Sequence, residues 1–106
     1  MSDAPELIRR YFDLAPQSDA DAYFAQFTDD ALVEDEGRER RGIPAIRAWR
    51  TEVPLVAYTI HEIHQTETGH DADVDIAGDF PGSPVHLTFH FQFAADGRIT
   101  VLTIRP

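Results

Sequence analysis

With no cysteine anywhere in the chain, disulfides, thiol nucleophiles and cysteine-ligated zinc are excluded, and any chemistry falls to carboxylates, tyrosine, histidine or the backbone. Asp35 is the first candidate. It ends the run Ala31-Leu32-Val33-Glu34-Asp35, and the alternation of a strand puts it on the side of Val33, inward, with Glu34 and Glu36 outward. A carboxylate that faces an apolar cavity binds its proton more tightly, as a base working near neutral pH requires. A strand-end carboxylate paired with Arg38, Arg40 or Arg41 is an equally open reading. Tyr11 shares a helical face with Leu7 and Ile8, so its hydroxyl is buried and must find a partner, whether a bound molecule, the backbone or Asp35. Trp49, with Ile46, is expected in the core or on a pocket wall, and a stacking platform is its alternative. The Arg38-Glu39-Arg40-Arg41 cluster reads as a solvated loop, or as a clamp for an anionic group at a pocket mouth, since guanidinium offers a forked donor.

The five histidines raise the question of a metal. His61 and His64 are three apart on a strand and are expected on opposite faces. His86 and His90 share a face but stand roughly 13 Å apart along it, too far to hold one ion together. No metal site is therefore expected, although one could assemble across strands with Asp73 or Asp75; acid–histidine pairing across the outer face is the expected arrangement. No glycine-rich phosphate loop, serine elbow or nucleotide fingerprint is present.

These side chains need a scaffold, and 106 residues suffice for one core and one domain spanning 1–106. Nineteen acidic against nine basic residues leave a formal charge of −10, which repels phosphate backbones and anionic bilayers and argues against nucleic-acid and membrane partners. No window offers the roughly 20 apolar residues of a membrane span, and the acidic start Met1-Ser2-Asp3-Ala4-Pro5-Glu6 lacks the basic character of a targeting peptide. A cytoplasmic location is the expectation.

Asp3-x-x-Glu6 has the form of a capping box opening a first helix through Leu7, Ile8, Tyr11 and Phe12 to Pro16. Ser18 or Asp19 would cap a second, with Ala22, Tyr23, Phe24 and Phe27 on its apolar face and Asp29-Asp30 closing it. A short strand 31–35 and a charged loop 36–42 precede a third helix, Ile43 to about Glu52, stopped by Pro54. The period then changes from about 3.6 to 2. Strands are expected over 56–66, 72–78, 85–93 and 99–104, with a turn at Thr68-Gly69-His70, a loop at Phe80-Pro81-Gly82-Ser83-Pro84 and a hairpin at Ala95-Asp96-Gly97. The expected class is α+β, a curved antiparallel sheet wrapped by three N-terminal helices around a pocket, cone-shaped and cystatin-like.

This order of elements resembles the nuclear transport factor 2-like superfamily, and more narrowly its branch of SnoaL-like polyketide cyclases and ketosteroid isomerases. The residues that carry the likeness are Arg10-Tyr11-Phe12, the run Thr28-Asp29-Asp30-Ala31-Leu32-Val33-Glu34-Asp35, and Phe93-x-x-Asp96-Gly97-Arg98-Ile99. The resemblance implies a pocket between the helices and the concave face of the sheet. It implies Asp35 as the general base that moves a proton next to a carbonyl, and Tyr11 as hydrogen-bond donor to the resulting enolate. It also marks departures. The isomerase carboxylic-acid donor falls on Phe89, and the supporting tyrosines fall on Phe27 and Arg50. The full steroid isomerase mechanism is therefore not expected, and the residue that would serve a cyclase has no clear equivalent.

The expected function is that of a cofactor-independent, isomerase- or cyclase-like protein. It would act by proton transfer on a small apolar carbonyl compound, with Asp35 and Tyr11 as catalytic residues and Phe24, Phe27, Trp49, Phe89 and Leu102 lining the pocket. The alternative is a non-catalytic ligand-binding or dimerisation domain of the same fold. A homodimer through the outer sheet face carrying His86, Thr88 and His90 is the partner the resemblance implies.

Overall fold

The computed structural model describes residues 3–16, 20–52 and 56–106; the expected caps Ser18 and Asp19 and the stop at Pro54 lie outside them. Helix α1 (Ala4–Leu14) begins as its sequence requires. Asp3 is the N-cap, its carboxylate accepting from the Glu6 N–H at 2.9 Å, with proline in the first turn. Ile8, Tyr11 and Phe12 form its buried face. Helix α2 (Ala20–Phe24) is a short turn of helix that buries Tyr23 and Phe24, and α3 (Ile43–Glu52) buries Ile46 and Trp49.

Six strands follow the order β2-β1-β6-β5-β4-β3 in one curved, unclosed sheet: β1 (Phe27–Asp35), β2 (Arg38–Arg41), β3 (Ala57–Gln65), β4 (His70–Ala77), β5 (Val85–Phe93) and β6 (Ile99–Arg105). The helices cover one face. Phe12 of α1 meets Tyr58, Phe89 and Phe91, and Tyr11 meets Phe27, Phe89 and Phe91. The other face carries His61 and His64 of β3, Asp71, Asp73 and Asp75 of β4, and His86 and His90 of β5. Gly69 fixes the β3–β4 turn against its neighbour, because a side chain there would overlap the Phe91 carbonyl oxygen.

The structure corrects three expectations. The second helix does not run to Phe27 and close at Asp29-Asp30; these residues open β1. Its partner is β6, paired in parallel with Val33 beside Leu102 and Asp35 beside Ile104, so the sheet is antiparallel except at this junction. The segment 36–42 is not a loop. Glu36 and Gly37 both have positive φ, 51° and 85°, the backbone of a tight two-residue hairpin, and Arg38–Arg41 returns as β2 with Arg38 opposite Asp35.

Candidate functional site

The end of β1 delivers Asp35 to a cavity of about 230 Å³ on the covered face of the sheet. Tyr11 reaches it from α1, Trp49 and Arg50 from α3, and Tyr58 from β3, while Ile76, Val85, Leu87, Phe89 and Ile104 supply a largely apolar wall. Asp35 and Tyr11 therefore meet at one space. Of the side chains expected to line it, Trp49 and Phe89 do. Phe24, Phe27 and Leu102 instead belong to the core. Phe27 begins the strand that Asp35 ends, roughly 25 Å away along the chain direction at a strand's rise. Leu102 sits mid-sheet between Val33 and Phe91.

Asp35 is half-buried, and its carboxylate accepts from the Trp49 indole N–H at 3.0 Å. Two arginines of β2 pair elsewhere, Arg40 with Glu52 at 3.2 Å and Arg41 with the Asp30 carbonyl at 3.3 Å, and none of the cluster lines the cavity. The guanidinium at the cavity is Arg50. It donates to the Ala15 carbonyl at the end of α1 at 2.6 Å and lies 4.5 Å over the Tyr23 ring, tying α3 to both other helices.

Tyr11 is 1% exposed, and its hydroxyl lies 2.9 Å from that of Tyr23. A supporting tyrosine is thus present, contributed by α2 rather than by position 27 or 50. Tyr23, Tyr58 and Arg50 are the site residues that sequence reasoning missed. The sequence places Tyr23 on an apolar helical face, and a tyrosine on such a face is itself the signal that a buried hydroxyl needs a partner.

Burial raises the Tyr11 pKa well above the ordinary 10.0, with Tyr23 adding to it. Burial likewise raises Tyr23 and Tyr58, against the opposing pull of Arg50. Burial works against the Arg50 cation, but the tyrosine oxygens around it outweigh that and hold its pKa above the usual value. The cavity therefore pairs one cation and neutral hydroxyl donors with the Asp35 carboxylate, and Glu36, expected to face outward, also lines it; such a set can accept a proton at one point and stabilise developing negative charge at another.

Because the folded tyrosine pKa values are raised, the stability they confer is present below the ordinary phenol value and lost as pH rises through the folded values. All three tyrosines of the chain belong to this group. One unit above pH 10.0, the native protein is expected to show at most the tyrosinate absorbance of Tyr58, and the urea-unfolded chain that of all three. Full ionisation in the native state would contradict the buried placement.

The SnoaL-like domain family matches residues 8–102. Among solved structures, a candidate polyketide cyclase from Sinorhizobium meliloti is 35% identical with a TM-score of 0.86, the match covering 97% of this chain and 96% of that one. A protein from Catenulispora acidiphila with a ketosteroid isomerase-like fold, in complex with trimethylamine, is 16% identical with a TM-score of 0.80, covering 98% and 87%. SalBIII, an epoxide hydrolase/cyclase-like enzyme of pyran ring formation in the polyether salinomycin, is 17% identical with a TM-score of 0.74, covering 95% and 88%. The last two likenesses are of fold alone. Among curated proteins none matches the chain.

Proposed function

Because the chain belongs to the SnoaL-like domain family, we propose that it is a cofactor-independent isomerase- or cyclase-like protein that moves a proton next to the carbonyl of a small apolar molecule. The observation that carries this reading is the meeting of Asp35 and Tyr11 at one apolar-walled cavity. Asp35 takes the proton from the carbon beside the carbonyl, the electron pair moves onto the carbonyl oxygen, and the enolate oxygen is held by the Tyr11 hydroxyl, backed by Tyr23. Return of the proton to a second carbon completes an isomerisation; attack of the enolate carbon on an internal carbonyl, whose π bond opens onto its oxygen and takes the proton from Asp35, completes a cyclisation. Arg50 and Tyr58, on the same wall, supply the further donors that the isomerase pattern takes from a carboxylic acid at the position of Phe89.

A second reading, a non-catalytic ligand-binding or dimerisation domain, draws on Phe89 itself. It is 2% exposed and puts an apolar ring where that donor would stand. The cavity, about 230 Å³, is also below the roughly 300–1,000 Å³ of drug-sized ligand sites, so a substrate would be small. The two readings separate in heavy water. The enzyme reading expects faster exchange of the hydrogens beside the carbonyl of an apolar bicyclic ketone of the decalone class than in buffer alone, followed by NMR. Binding of such ketones without any exchange above buffer favours the second reading.

A further inference from the structure

The outer face of the sheet carries a set of groups that proton transfer in the cavity does not use. His61 of β3 and His86 of β5 flank Asp75 of β4, with His61 Nε2 at 2.9 Å from Asp75 Oδ2 and His86 Nδ1 at 3.0 Å from Asp75 Oδ1. His64 and His90 flank Asp71 in the same manner, at 3.8 and 2.6 Å. This is the expected cross-strand pairing, with one difference. His61 and His64 lie on the same face, not on opposite faces, because the β3–β4 register shifts between Ile60 and Glu62. Such a bulge adds one residue to its strand and re-aims the side chains that follow. The bulge sets His61 beside Asp75, the cross-strand arrangement that the sequence leaves open.

We propose that His61, Asp75 and His86 form a binding site for a divalent transition-metal ion of the zinc or nickel class. One ligand atom from each lies within 4.8 Å of the others, and the three come from adjacent hydrogen-bonded strands, so no loop has to order for an ion to be held. Two imidazoles and a carboxylate are a donor set that zinc accepts, with further positions left to water. The side chains are 48%, 40% and 54% exposed, so an ion reaches them from solvent, and a formal charge of −10 favours its approach. An arriving ion takes a lone pair from each imidazole nitrogen, and a proton held there leaves to water or moves to the other ring nitrogen.

The neighbouring groups are less suited. His90 is 20% exposed and its ring also meets Thr68 and Gln92. Glu62, His64 and Asp73 also come within reach of one another, but they offer a single imidazole, and Asp73 already accepts from Thr88.

The test is a calorimetric titration of the tag-free chain with Zn²⁺ in a non-chelating buffer, together with the thermal midpoint with and without the ion. One ion per chain and a raised midpoint are expected. His61→Ala and His86→Ala should each weaken binding by at least about tenfold, since even outer-shell changes at metal sites cost 10–100-fold, and His64→Ala should leave it unchanged. Circular dichroism confirms that each variant folds. The absorption bands of Co²⁺ added to the wild-type chain report imidazole ligation without any substitution, and Asp75→Asn gives a third route to the same loss. Absence of binding to the wild-type chain would overturn the proposal. So would binding that survives both histidine substitutions, or binding abolished by His64→Ala.

Discussion

Asp35→Asn is expected to slow exchange of the hydrogens beside the ketone carbonyl by roughly 10²–10⁴-fold, the contribution typical of a positioned general base. The substitution is nearly isosteric. Its amide oxygen still accepts from the Trp49 indole that now bonds the carboxylate, so the strand end, the cavity wall and ligand affinity should persist. What disappears is the capacity to take a proton. Affinity and exchange falling together would mean that Asp35 organises the cavity rather than acting as base. Unchanged exchange would remove it from the chemistry.

The second large effect concerns the support beneath the site. Phe91 is 0% exposed and lies between helix and sheet, with ring centroids 5.3 Å from Tyr11, 6.1 Å from Phe12 and 6.0 Å from Phe93. Truncation to alanine leaves a void that neighbours on a rigid sheet cannot close, at a cost of about 3–5 kcal/mol. Against a total of about 5–15 kcal/mol for a domain, that is a large share. For a chain of this length the thermal midpoint should fall by roughly 12–20 °C. A loss below about 1 kcal/mol in chemical denaturation would show that the aromatic row is not the principal core. Tyr11 packs on this ring, so Phe91→Leu, with a smaller void, should keep the fold while loosening the Tyr11 hydroxyl.

Elements whose signals are local were legible in the sequence. The Asp3 cap, the spacing of Ile8, Tyr11 and Phe12, the helix 43–52 and the alternation through β5 all depend on near neighbours. What escaped depends on distant ones. Phe27 continues a helical period yet enters a strand, because its place is set by the parallel pairing of β1 with β6, some seventy residues on. The hairpin at Glu36-Gly37 lacks the asparagine or aspartate that usually announces two successive positive φ values. The bulge that turns His61 and His64 to one side is marked only by the two polar residues, His61 and Glu62, that separate Ile60 from Ile63 where strict alternation would place one. At the site, Asp35, Tyr11, Trp49 and Phe89 were foreseen at the cavity. Tyr23, Tyr58 and Arg50 were not, because their convergence is a product of three helices and a strand meeting.

Proton transfer at Asp35 requires that a carbonyl compound occupy the cavity there. Trp49 is the only tryptophan of the chain, and its indole N–H bonds the Asp35 carboxylate, so its single NMR resonance reports on that carboxylate directly. Titration of the ¹⁵N-labelled protein with the bicyclic ketone is predicted to move this resonance saturably in the wild-type chain and in Asp35→Asn. In Val85→Phe, which fills the cavity from its wall, the resonance should no longer respond. A resonance that stays still while other signals shift, or that moves equally in Val85→Phe, would contradict the account.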